Sequence, residues 1–122
     1  MSSTPSISPL VDKIVTIIED RKGEALSVYS VGEESTLTDY VILCTGMAAP
    51  HVRALSNTIS QELKAQGRIA RVQGAPISGW VIMDYSDVIV HVMLPESREY
   101  YQLEELQPES SLVYSVPTSE IA

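Results

Sequence analysis

The hydrophobic pattern begins at Leu10, where Leu10, Val11, Ile14, Val15, Ile17 and Ile18 recur at helical spacing behind Ser8-Pro9. Ser8 can cap this helix, Pro9 suits its first turn, and Gly23 suits a left-handed stop. Leu26 to Val31 predicts a short strand, followed by the polar connection Glu33-Glu34-Ser35. Asp39 to Thr45, through Tyr40-Val41-Ile42-Leu43-Cys44, is nearly unbroken apolar sequence. Such a run predicts a central strand buried on both faces, and Gly46 breaks it.

Pro50 to Gln66 places Val52, Leu55, Ile59 and Leu63 on one helical stripe, closed by Gly67. Its start is weakly capped, because Ala48 and Ala49 carry no side-chain acceptor, although Pro50 fixes a helical dihedral. Arg68 to Gln73 predicts a third strand and Gly74-Ala75-Pro76 a turn. Two strong strands follow, Trp80 to Tyr85 and Val88 to Leu94, around Ser86-Asp87. Pro95-Glu96 opens a last helix through about Leu106, its acid near the positive helix end, and Pro108 ends it. A helix-linked crossover requires parallel pairing, and the tight turn makes the last pair antiparallel. The expected architecture is an α/β domain with a mixed five-stranded sheet flanked by helices. It spans 9–107, between a flexible Ser/Pro-rich N-terminus (1–8) and a C-terminal tail (108–122). Within that tail Leu112, Val113, Tyr114 and Val116 have the side chains of a short edge strand.

With Ser86-Asp87 as a two-residue loop, Tyr85 faces Val88, Met83 faces Val90 and Val81 faces Val92. Side chains alternate along a strand, so the other face pairs Trp80 with Met93, Ile82 with His91, and Asp84 with Ile89. The first face is core-like. The second combines an aromatic anchor, a thioether, an imidazole and a carboxylate. Two readings are open: a protein-contact surface centred on Trp80, or a face covered by a helix with Trp80 as plain core.

The length of 122 residues allows one modest core, and 44% hydrophobic with 20% charged residues excludes collagen-like, coiled-coil and wholly disordered chains. The formal charge of −8 opposes general binding to phosphate backbones and is compatible with attraction to a basic protein, although composition alone favours acids that only keep the chain soluble. The acids cluster: from Asp84 to Glu109 there are seven, against Arg98 alone. A single cysteine, Cys44, precludes an internal disulfide and fits a reducing compartment. With no secretion-like start and no apolar run near membrane length, a soluble protein is expected.

Catalytic signatures are sparse. Neither helix follows a glycine-rich phosphate loop. His51 and His91 are far apart in context, and Cys44 lies in an apolar strand, where burial disfavours the thiolate. Asp84 and Asp87 form a DxxD that can bind a metal or simply end a strand and make a turn. The expectation is a protein without enzymatic activity, metal or cofactor.

Three segments resemble the Iojap family of ribosomal silencing factors (RsfS). These are Leu37-Thr38-Asp39-Tyr40-Val41-Ile42-Leu43-Cys44-Thr45-Gly46 with His51-Val52, then Trp80-Val81-Ile82-Met83-Asp84 with Asp87-Val88-Ile89-Val90-His91-Val92-Met93, and Pro95-Glu96-Ser97-Arg98-Glu99-Tyr100-Tyr101-Gln102-Leu103-Glu104-Glu105-Leu106. The resemblance implies a nucleotidyltransferase-like fold without the catalytic site. It implies a cytoplasmic factor that binds the large ribosomal subunit through ribosomal protein L-fourteen, blocks joining of the small subunit and represses translation. A homodimer is also implied, but no membrane and no direct dependence on nucleic acid. The partner-binding residues expected from the second face of the hairpin and its loop are Trp80, Ile82, Asp84, Asp87, Ile89, His91 and Met93. The alternative is a metal-dependent nucleotidyltransferase using Asp39, Asp84 or Asp87. The chain departs from the family pattern at Ala48-Ala49-Pro50, at Ser86 and at Gln107.

Overall fold

The computed structural model describes residues 8–32, 38–108 and 111–116. Helix α1 (Pro9–Asp20) leads into strands β1 (Glu24–Ser30) and β2 (Tyr40–Thr45), then helix α2 (Ala49–Lys64). Strands β3 (Arg71–Ala75), β4 (Trp80–Asp84) and β5 (Val88–Met93) follow, then helix α3 (Pro95–Tyr101) and strand β6 (Leu112–Val116). Short 3-10 turns cover Pro76–Ser78 and Leu103–Leu106. Residues 1–7, expected to be flexible, and the connection Glu33-Glu34-Ser35 lie outside the described residues. No described helix is long and apolar enough to cross a membrane.

Local chemistry accounts for the helix ends. Ser8 is the N-cap of α1, its Oγ accepting from the Val11 amide at 3.1 Å. The left-handed residue after α1 is Lys22 (φ 64°), one position before the expected glycine. Gly23 is small for another reason: a Cβ there would strike the Ile18 side chain. Helix α2 starts without a side-chain cap, as its alanines dictate. His51 ties that start down, because its Nδ1 accepts from the Met47 amide and its Nε2 donates to the Arg21 carbonyl at the end of α1. At the other end, Gly67 (φ 82°) lets the Arg68 amide reach the Leu63 carbonyl. Because Arg68 is used in that closure, β3 starts three residues later than the pattern suggested.

The sheet is mixed, in the order β3-β4-β5-β2-β1-β6. Its parallel pair is β2 with β5, as expected of a crossover through α2. Helices α1 and α2 cover one face, where Val11, Ile14, Ile18, Leu55, Ile59 and Leu63 bury against Leu26, Val28, Ile42, Cys44, Met83 and Val90. Central β2 is buried on both sides: Leu43 turns to a second, smaller core with Tyr29, Val31 and Val41. Removing one of these large side chains would cost about 2–5 kcal/mol.

Two expectations are corrected. The sheet has six strands, because part of the supposed tail pairs antiparallel with β1 as β6. That pairing removes an open edge on β1, and Tyr114 packs against the helical core with its hydroxyl donating to Glu19 at 2.5 Å. A register shift between Val28 and Tyr29 blurs the alternation that would announce the strand. The last helix also stops earlier, at Tyr101. Gln102 takes a left-handed conformation (φ 48°, ψ 52°), and the chain continues as a 3-10 turn. The break lets Leu103 pack on the second core and Glu104 reach back to Arg98.

Candidate functional site

The β4–β5 hairpin has the expected register throughout: Trp80 opposite Met93, Ile82 opposite His91 and Asp84 opposite Ile89. Its loop is held by local bonds. Asp84 Oδ1 accepts from the Ser86 amide at 2.8 Å, and the Asp87 amide donates to the Tyr85 carbonyl across Ser86, whose φ is 76°. That is γ-turn geometry at a position where a side chain is strained. Beside the hairpin, Gly74 (φ 82°) faces the backbone of Trp80, where a Cβ would collide with the Trp80 carbonyl. Gly74 therefore lets edge strand β3 lie flush against β4 at the aromatic end of the face.

The face away from α1 and α2 is divided. Over β1 and β2 it is closed by α3 and the following 3-10 turn. Arg98, only 8% exposed, donates from Nη1 to Thr45 Oγ1 at 2.9 Å and from Nε to Glu104 Oε2 at 3.1 Å. Over β4 and β5 the face stays partly open, with Trp80, Ile82, Asp84, Ile89 and His91 half-buried and Met93 fully buried beneath them. A helix packs beside Trp80 through Tyr101, yet Trp80 is not fully covered.

Trp80 Nε1 donates to His91 Nδ1 at 3.0 Å. An accepting Nδ1 requires the proton of the neutral ring on Nε2. Burial, with a smaller push from Arg98, lowers the His91 pKa to about 4, so the imidazole is neutral at physiological pH. Tyr101 packs against Trp80 in a tilted pair with ring centroids 4.6 Å apart and planes at 44°, and Tyr100 meets Tyr101 edge-on at 4.9 Å. Sequence reasoning did not assign these tyrosines, nor Arg98 and Thr45. The available signal was a Tyr pair two residues after the lone base of an acidic stretch.

Asp87 departs from the group. Its Oδ1 accepts from Arg68 Nη2 at 2.6 Å, and the same nitrogen donates to the Tyr85 carbonyl. Its carboxylate is thus engaged with the end of α2, whereas Asp84 serves the turn. Among the described residues no three His, Cys, Asp or Glu side chains are placed to hold a metal. Cys44 is fully buried and its thiol is pushed up to about 12 by that burial, which suppresses the thiolate. A cavity of about 510 Å³ opens beside Thr45 and Arg98, and its other charged lining groups are Glu99, Glu104 and Glu105. That excess of carboxylates repels a phosphate.

A mixed sheet closed on one side by two helices and carrying a half-open aromatic patch beside acidic side chains on the other is the frame in which the comparisons with known proteins fall. The chain belongs to the family described as "Ribosomal silencing factor during starvation", whose profile matches residues 4–121. It is 36% identical over 93 residues to the ribosomal silencing factor RsfS of Chromobacterium violaceum, covering 75% of this chain and 76% of that protein. It is 26% identical over 100 residues to the mouse protein "Mitochondrial assembly of ribosomal large subunit protein 1", covering 79% of this chain and 44% of the longer mouse protein. Among solved structures, a Chromobacterium violaceum protein superposes with a TM-score of 0.78 at 29% identity, over 91% of this chain and 93% of that one.

Proposed function

We propose that this chain docks on the large ribosomal subunit through ribosomal protein L-fourteen, prevents the small subunit from joining, and so represses translation in the cytoplasm. Family membership supports the ribosomal setting. The observation that carries the contact is the half-open β4–β5 face, where Trp80, Ile82, Ile89 and His91 meet the acids of the last hairpin and α3. Desolvated aromatics supply affinity, while acids at the rim steer association with a basic protein and keep phosphate backbones away. The mechanism is steric and requires no catalytic group, metal or cofactor. Self-association through the same face would compete with the ribosome.

The alternative, a metal-dependent nucleotidyltransferase, has less support. Asp87 is neutralised by Arg68, and Asp84 is committed to its own turn. Sedimentation with purified large subunits, with and without added small subunits, tests the proposal. The protein is expected to co-sediment with large subunits and to reduce the fraction that joins. Co-sedimentation without any reduction in joining would refute the blocking role.

A further inference from the structure

We infer that Tyr100 and Glu96, at the outer end of the aromatic ladder, form a subsite for one arginine side chain of the protein partner. The inference rests on the proposed function for where that partner resides. Three rings run outward from the β4–β5 face, Trp80 to Tyr101 to Tyr100. Tyr100 is 80% exposed, and Tyr101 49%, although α3 is anchored by a nearly buried Arg98. The rigid part of the ladder therefore holds Tyr100 in place, while most of its own ring stays in solvent.

The charges around this ring share one sign. Glu96 lies four residues before Tyr100, on the same side of the helix, and Glu99 precedes it directly. Arg98, the one base of α3, turns inward to Glu104 and Thr45. An aromatic face attracts a cation, and a guanidinium pairs a flat face for the ring with edge donors for a carboxylate. An apolar side chain would use the ring and leave the acids unused. A nucleic acid would stack a base there but bring its phosphates against Glu96 and Glu99. The combination fits arginine.

Two measurements test this on the full chain. In the first, large-subunit affinity is compared for the wild type, Tyr100→Phe, Tyr100→Leu and Glu96→Gln, with thermal melts alongside. Tyr100→Phe is expected to bind as the wild type does, while Tyr100→Leu and Glu96→Gln each weaken binding by about two- to fivefold, as an exposed cation–π or ionic contact would. All three should melt with the wild type. Equal affinity of Tyr100→Leu and Tyr100→Phe overturns the subsite, and tighter binding by Glu96→Gln identifies a nucleic acid instead. In the second, a hexa-arginine peptide is titrated against the fluorescence of Trp80, the only tryptophan in the chain. Peptide binding weakened by Tyr100→Leu and by Glu96→Gln supports the subsite, and peptide affinity unchanged by Tyr100→Leu refutes it. Failure of the wild type to bind large subunits would remove the proposed function and leave the peptide titration to decide the subsite.

Discussion

The indole of Trp80 donates a hydrogen bond of 3.0 Å to Nδ1 of His91 on the adjacent strand, and that bond exists only while the imidazole is neutral. Protonation would turn the acceptor into a second donor facing the indole N–H. Burial reinforces this by lowering the His91 pKa to about 4, with Arg98 contributing the same way. Hydrogen bonding and desolvation therefore act on one residue at the centre of the proposed contact face.

A pH dependence follows. The folded pKa lies below the ordinary value of 6.5, so the unfolded chain binds the additional proton between the two. Stability from neutral His91 is complete above about pH 6.5 and is lost as pH falls toward 4. Between pH 8 and pH 5 the loss amounts to about 2 kcal/mol. The substitution His91→Asn keeps an acceptor for the indole, the amide oxygen, and removes the titration. Urea unfolding of wild type and His91→Asn at pH 8 and pH 5 checks this. Equal losses in both proteins would assign the acid sensitivity to the carboxylates.

The hairpin was legible because strict alternation in Trp80–Asp84 and Val88–Met93 leaves one register once the loop is Ser86-Asp87. The double burial of β2 was legible from its continuous apolar run. What covers the second face was not. That depends on the left-handed Gln102, which carries no glycine signal, and on an arginine that enters a core because Thr45 and Glu104 await it. The engagement of Asp87 was hidden for a similar reason: its partner Arg68 is nineteen residues away, in the connection between α2 and β3. Strand β6 was blurred by its register shift. Pairings between distant segments decided each of these features, and local periodicity does not encode them.

Trp80→Ala is expected to weaken large-subunit binding by about 2–4 kcal/mol, the range of a central aromatic anchor. Folding should suffer less, because the ring is only half-buried and the fully buried Met93 remains beneath it. Co-sedimentation beside a thermal melt separates the two effects. A large drop in melting temperature with unchanged affinity of the folded fraction would make Trp80 a core residue only.

Arg98 offers a test of how the second face is closed. Arg98→Met strands Glu104 beside Thr45 without its cation. Breaking a buried pair typically costs roughly 3–5 kcal/mol. Because the Glu104 side chain is 37% exposed, about 2–3 kcal/mol is expected here. Adding Glu104→Leu should recover most of the loss, since two apolar side chains leave no unpaired charge. Denaturant melts of both single variants and the double variant complete the cycle, and additive losses would mean that the ion pair does not close the face.

Truncation after Pro108 removes β6, which pairs with β1 at four positions and donates from Tyr114 to Glu19. At roughly 0.5–1.5 kcal/mol of net stability per hydrogen bond, with the burial of Tyr114 added, a loss of several kcal/mol is expected. The newly open β1 edge should also promote aggregation, because unpaired strand edges template pairing with other chains. Binding should respond differently. In the sheet order β1, β2 and β5 separate β6 from Trp80 on β4, so the folded fraction should retain its large-subunit affinity. Thermal melts and a subunit-joining assay on the full-length and truncated proteins read the two effects apart. A truncated protein that melts like the full chain yet no longer blocks joining would place the binding surface on β6, at the opposite edge of the sheet from β3.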